Sequence, residues 1–150
     1  MISAFHLRAW RSLGDRVAVV AISDPHHERA AQRAGEFSIP AVHADPAAML
    51  ASERLDVVDI ASPRETHVEL VEAAAARGIA VLCQKPLAPT LPEALALVER
   101  VGSRTRLMVH ENWRFRPWFR SIRQWLDAGE LGELLYARLA LFTSGLIPDA

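Results

Sequence analysis

A doubly wound α/β fold with a mainly parallel sheet is predicted by three features of this 150-residue chain. Short, branched apolar runs alternate with longer stretches of helical spacing, the pattern of strand–helix–strand crossovers. The apolar runs are continuous rather than alternating, as strands buried on both faces are. Each run ends in polar or turn residues, so polar groups gather on the rim where parallel strands finish and ligands bind.

Residues 17–22, Val-Ala-Val-Val-Ala-Ile, read as a strand, and residues 27–37, rich in Ala, Arg and Glu, as a helix. Residues 55–60 form the next strand. Residues 66–77 have helical spacing, with Val68, Leu70, Val71 and Ala74 on one side and Gly78 as the stop. Residues 79–84 are a short buried strand. Pro86 cannot continue a central ladder, which leaves Gln84 and Lys85 at the strand's carboxyl end. Pro92 suits the first turn of a helix that runs to Val101 and stops at Gly102. A fourth strand spans 106–110. A helix spans 117–128 and stops at Gly129, and a partly alternating strand spans 134–143.

Half of the residues (51%) are apolar and the net charge is −1, with both signs interspersed. This predicts a globular protein with no nucleic-acid partner and no anionic membrane surface. No uncharged apolar run approaches the roughly 20 residues a spanning helix needs, and the first residues lack a signal-peptide core. One cysteine, Cys83, allows no internal disulfide. A soluble cytoplasmic protein is the expectation, with no metal site: His26, His27 and His43 read as surface residues, and Cys83 as an inert core thiol.

The four strand ends carry Ser23-Asp24-Pro25, Ala61-Ser62-Pro63, Gln84-Lys85-Pro86 and His110-Glu111-Asn112. Asp24, Ser62, Lys85 and Glu111 should therefore share one rim. A dinucleotide site places an acidic residue about 20 residues beyond its glycine loop, to accept from ribose hydroxyls. Counting back 21 residues from Asp24 reaches Ser3. Asp24 either serves that role or caps the helix that follows it. Thr66 is expected as an N-cap, with His67 in the first turn as a structural residue or an anion contact. The stretch from Asn112 to Trp118 combines three aromatics with Arg114 and Arg116. It either stacks on a ligand ring or packs a domain corner.

Several stretches, in order, resemble the Gfo/Idh/MocA family of NAD(P)-dependent oxidoreductases. Cys83-Gln84-Lys85-Pro86 is similar to that family's Glu-Lys-Pro motif. Residues 55–63 with Thr66-His67 resemble its strand-four signature. Residues 112–117 and Gly129-Glu130-Leu131-Gly132 resemble its hinge into a second domain. The resemblance implies a Rossmann-type domain over residues 1–116 and the hinge helix and first strand of a substrate domain over 117–150. It implies hydride transfer between NAD, rather than NADP, and a hydroxyl carbon of a sugar or polyol. Lys85 would be catalytic, hydrogen-bonding the substrate hydroxyl. Ser3, Asp24, Ser62, His67, Gln84, Lys85 and Arg114 would line the cofactor, and His110 and Glu111 the substrate. A homo-oligomer is implied for the full-length protein.

Three departures accompany the resemblance. Gln84 stands where most members have Glu, which keeps hydrogen bonding and removes an anion beside Lys85. Ser3 falls at the third glycine of the family's fingerprint, so the sheet is expected to lack its first strand. The chain also stops soon after the expected hinge, so it is expected to be inactive alone. The alternative, from another class, is a non-catalytic truncated paralogue acting as a binding or regulatory module.

Overall fold

The computed structural model describes residues 2–140. They divide into two compact units with the break between Glu111 and Asn112.

The first unit opens with α1 (Ile2–Arg11) and a short 3-10 turn at Gly14–Arg16. Strand β1 (Ala21–Ser23), helix α2 (His27–Phe37) and strand β2 (Ala41–His43) follow. Next come α3 (Pro46–Ser52), β3 (Val57–Ile60), α4 (His67–Ala75) and β4 (Ala80–Gln84). Helix α5 (Leu91–Val101) and strand β5 (Leu107–His110) complete the unit.

Local chemistry sets these boundaries. Asp45 caps α3 by accepting from the Ala47 and Ala48 amides at 2.9 and 3.3 Å, with Pro46 in the first turn. Thr90 and Glu93 close a reciprocal capping box at the start of α5. Gly78 leaves α4 at φ +69°, a left-handed turn that an L side chain resists. Thr66 does precede α4, but its hydroxyl donates to the Pro63 carbonyl at 2.9 Å and does not cap the helix.

All pairings are parallel. β3–β4–β5 form one sheet, with Asp59 opposite Leu82, Leu82 opposite Met108 and Gln84 opposite His110. β1 and β2 form a second sheet, with Ala21 opposite Ala41. The expected strand over 17–22 enters the ladder only at Ala21. Before it, the Val20 carbonyl accepts from the Ala41 amide at 3.3 Å. β1 and β3 do not pair with each other, so the parallel strands fall into two sheets, in keeping with a sheet expected to lack its first strand.

Side chains alternate across a strand. Ile60, Val81 and Cys83 therefore face one side, where they pack with Val71, Ala74 and Ala75 of α4 and Leu97 and Val101 of α5. Asp59, Gln84 and His110 face the other. Helix α1 covers that face and spans the two sheets. Its Leu7 packs with Ala34 and Ile39 against the β1–β2 side, while His6 and Trp10 reach Asp59 on β3.

Among the described residues β1 and β3 each hydrogen-bond to one neighbouring strand only, and open edges recruit further strands. The isolated chain is expected to self-associate. Light scattering behind size-exclusion chromatography that shows a monomer at high micromolar concentration would contradict this.

Burial pushes the Cys83 thiol from 9.0 up to about 12, and the Asp59 carboxylate adds to the effect. A raised value keeps the folded thiol protonated. The stability that depends on it is intact below the unfolded thiol's value of 9.0 and is lost as pH climbs toward about 12. Urea midpoints are expected to fall across that window, and Cys83→Ala to flatten that part of the fall.

The second unit holds a 3-10 turn at Asn112–Phe115 and α6 (Pro117–Asp127). Residues 134–140 form no strand there. Leu135 is 86% exposed and Tyr136 79%, and a strand without a neighbour to bond is not stable in water. The rest of the expected strand, 141–143, lies outside the described residues.

Candidate functional site

Lys85 follows β4 directly, is exposed, and is the only lysine in the chain. Among the described residues it makes no ion pair. Its backbone amide donates to Gln84 Oε1 at 2.8 Å. Ser62 follows the end of β3, and Glu111 the end of β5, so these residues and Lys85 share one rim of the three-stranded sheet. Asp24 follows the end of β1, in the two-stranded sheet.

Asp24 Oδ1 accepts from the His26 amide at 2.8 Å, a local turn that leaves its second oxygen without a partner among the described residues. The first residue of α2 is preceded by His26, which makes no side-chain cap. The Ser62 hydroxyl donates to Thr66 Oγ1 at 2.7 Å. His67 is 1% exposed. Its Nδ1 lies 2.9 Å from the Pro86 carbonyl and its Nε2 3.0 Å from the Ser62 carbonyl. The ring thus ties the turn after β3 to the turn after β4. Ser3 sits half-buried in the first turn of α1.

Three residues that the sequence reading did not single out stand behind this rim. His6, 6% exposed, places Nδ1 2.9 and 3.0 Å from the two oxygens of Asp59. The Trp10 indole donates to Asp59 Oδ2 at 2.6 Å. Gln84 Nε2 lies 3.1 Å from His6 Nε2. The His110 ring meets the His6 ring edge-on at 4.5 Å between centroids, and His110 Nδ1 is buried without a partner. One signal could have found the group: His6 and Trp10 are four apart, on one helix face, and Asp59 is a carboxylate inside an apolar strand.

His43, expected at the surface, is half-buried on β2 and pairs with Glu53 at 2.9 Å. Among the described residues no three His, Cys, Asp or Glu side chains could hold a metal ion. No described helix is long and apolar enough to cross a membrane.

In the second unit, Arg116 lies between Trp113 and Trp118, 5.7 and 5.6 Å from their ring centroids, and Arg114 lies 5.6 Å over Phe115. These guanidiniums stack on the unit's own rings.

The profile described as "Oxidoreductase family, NAD-binding Rossmann fold" of the Gfo/Idh/MocA proteins matches residues 1–111. The chain belongs to the Gfo/Idh/MocA oxidoreductase family. This Gfo/Idh/MocA chain is 42% identical to a D-apiose dehydrogenase of Paraburkholderia graminis over 138 residues, 90% of the chain and 36% of that protein. It is 34% identical to an inositol 2-dehydrogenase of Saccharopolyspora erythraea over 137 residues, 90% of the chain and 40% of that protein. The chain thus spans roughly two-fifths of these relatives' length. Among solved structures, an oxidoreductase from Agrobacterium radiobacter in complex with NAD+, L-tartaric acid and magnesium superposes with a TM-score of 0.79 at 34% identity. That match covers 85% of the Gfo/Idh/MocA chain and 37% of the other. A levoglucosan dehydrogenase in complex with NADH and levoglucosan gives 0.81 at 26% identity, covering 89% and 38%.

Proposed function

We propose that this chain supplies the nicotinamide-dinucleotide side of a dehydrogenase that acts on a hydroxyl carbon of a sugar or polyol. Lys85 carries the reading. It is an exposed ammonium with no described ionic partner, held at a strand's carboxyl end on a polar rim. The similarity to D-apiose and inositol dehydrogenases supports the substrate class.

Bound NAD would supply the hydride acceptor. The chain's own residues do the rest. Lys85 hydrogen-bonds the substrate oxygen and stabilises the charge that grows there as its proton leaves. The unpartnered oxygen of Asp24 accepts from the adenosine ribose hydroxyls, and the same carboxylate repels a 2′-phosphate, which favours NAD over NADP. The first turn of α1, with Ser3, offers amides to the pyrophosphate. Ser62 and Gln84 line the cofactor trough. His67 acts on that trough through the two turns it joins. His110 and Glu111 belong to the substrate side. The proposed domains are 1–116 for the dinucleotide and 117–150 for the start of the substrate domain.

A chimaera tests this. The chain replaces the matching segment of the P. graminis D-apiose dehydrogenase, and reduction of NAD+ and of NADP+ is followed with a panel of sugars and polyols. Turnover with NAD+ on at least one of them is expected. A folded chimaera that binds NADH and turns over none would overturn the reading.

A further inference from the structure

We infer that His6 and Gln84 are positioning residues for Lys85, locked by Asp59 into one hydrogen-bond polarity. The inference rests on the proposed role of Lys85.

Donor and acceptor chemistry fixes every link. A backbone N–H can only donate, so the Gln84 atom facing the Lys85 amide at 2.8 Å is the carbonyl oxygen. The Gln84 amide nitrogen then faces His6 Nε2 at 3.1 Å and donates to it. His6 Nε2 must therefore be the bare nitrogen, and Nδ1 carries the proton. Nδ1 lies 2.9 and 3.0 Å from the Asp59 oxygens, where that proton finds its acceptor. The Trp10 indole, which can only donate, supplies Asp59 with a second bond at 2.6 Å. The line runs from the Lys85 peptide through β4, α1 and β3 with no donor facing a donor.

Gln84, like the neutral His6 ring, both accepts and donates in this line. Its amide accepts from Lys85 with one end and donates to a neutral imidazole with the other. A glutamate there would present an acceptor to Nε2, and His6 would sit between two carboxylates. With both carboxylates ionised, the ring would need a proton on both nitrogens. Gln84 and a neutral His6 are a matched pair. His110, from β5, also meets the His6 ring edge-on. Since the side chain of Lys85 leaves a peptide held by this line, the imidazole 6% exposed under α1 sets where the ammonium starts from.

Selective labelling gives a direct reading, because Lys85 is the only lysine and yields a single labelled backbone amide. The full 150-residue chain is labelled with 15N-lysine or 15N-histidine. It is studied in solution, or by magic-angle-spinning NMR where it self-associates. His6 is assigned by the signal lost in His6→Phe. The wild-type ring is expected with Nδ1 protonated and Nε2 bare at neutral pH. Glutamine-to-glutamate substitution (Gln84→Glu) should protonate both nitrogens. Gln84→Met and His6→Phe should each speed hydrogen exchange of the Lys85 amide by about tenfold or more. A wild-type Nε2–H tautomer, or a Lys85 amide whose exchange is unchanged in both Gln84→Met and His6→Phe, would overturn the inference. The Lys85 amide is assigned by its label alone, so its exchange in the near-isosteric Gln84→Met decides the test if His6→Phe does not fold. None of these readouts uses cofactor or substrate, so their failure leaves the hydride-transfer reading standing, and failure of the chimaera leaves these signals unchanged.

Discussion

Lys85→Met in a chimaera or full-length protein that carries this chain is expected to lower kcat by about 100- to 10,000-fold, the range of a lost proton-transfer partner. The Kd for NADH should change little. The methionine reproduces the four-atom stem of lysine without its terminal nitrogen. Only the ammonium goes, and with it the charge that would meet the developing alkoxide. Steady-state kinetics together with NADH fluorescence titration separates the two roles. Equal losses in turnover and in cofactor affinity would move Lys85 from chemistry to cofactor binding.

Asp59→Ala is expected to give the largest loss of stability among single substitutions on the α1 face. It removes the common acceptor of His6 Nδ1 and the Trp10 indole. Each buried donor left unpaired costs roughly 1–3 kcal/mol, against a total of about 5–15 kcal/mol for a domain. Asp59→Asn keeps one acceptor and should lose less. Urea unfolding at one fixed protein concentration measures both. A change within about 0.5 kcal/mol for Asp59→Ala would match an ordinary surface site and would remove Asp59 as the anchor of α1.

The elements with strong local signals were legible in the sequence. Residues 27–37 and α2 coincide, and Pro92 and Gly102 bracket α5 as expected. The three-residue strand β2 and the seven-residue α3 were not foreseen. Both are too short to show a period, although Asp45-Pro46 is a helix start on its own. Strand 17–22 read longer than it is, because apolar branching marks extended chain and not the presence of a partner to bond. The rim residues Ser62, Lys85 and Glu111 could be placed from strand ends alone. The group behind them could not. His6 and Asp59 are 53 positions apart and Gln84 and His6 are 78 apart, and no spacing rule connects residues that only the folded sheet brings together.

His67 has consequences for motion as well as for packing. Two carbonyl oxygens, of Ser62 and Pro86, face its two nitrogens, and a neutral imidazole has a single N–H to give. While it is neutral, the ring can give that N–H to only one of them. With the proton on Nδ1 it grips the turn that carries Pro86 and releases the turn that carries Ser62; with the proton on Nε2 the grip is exchanged. The two turns are then never equally free. In the neutral ring, a guest that draws the proton's bond toward one turn takes it from the other.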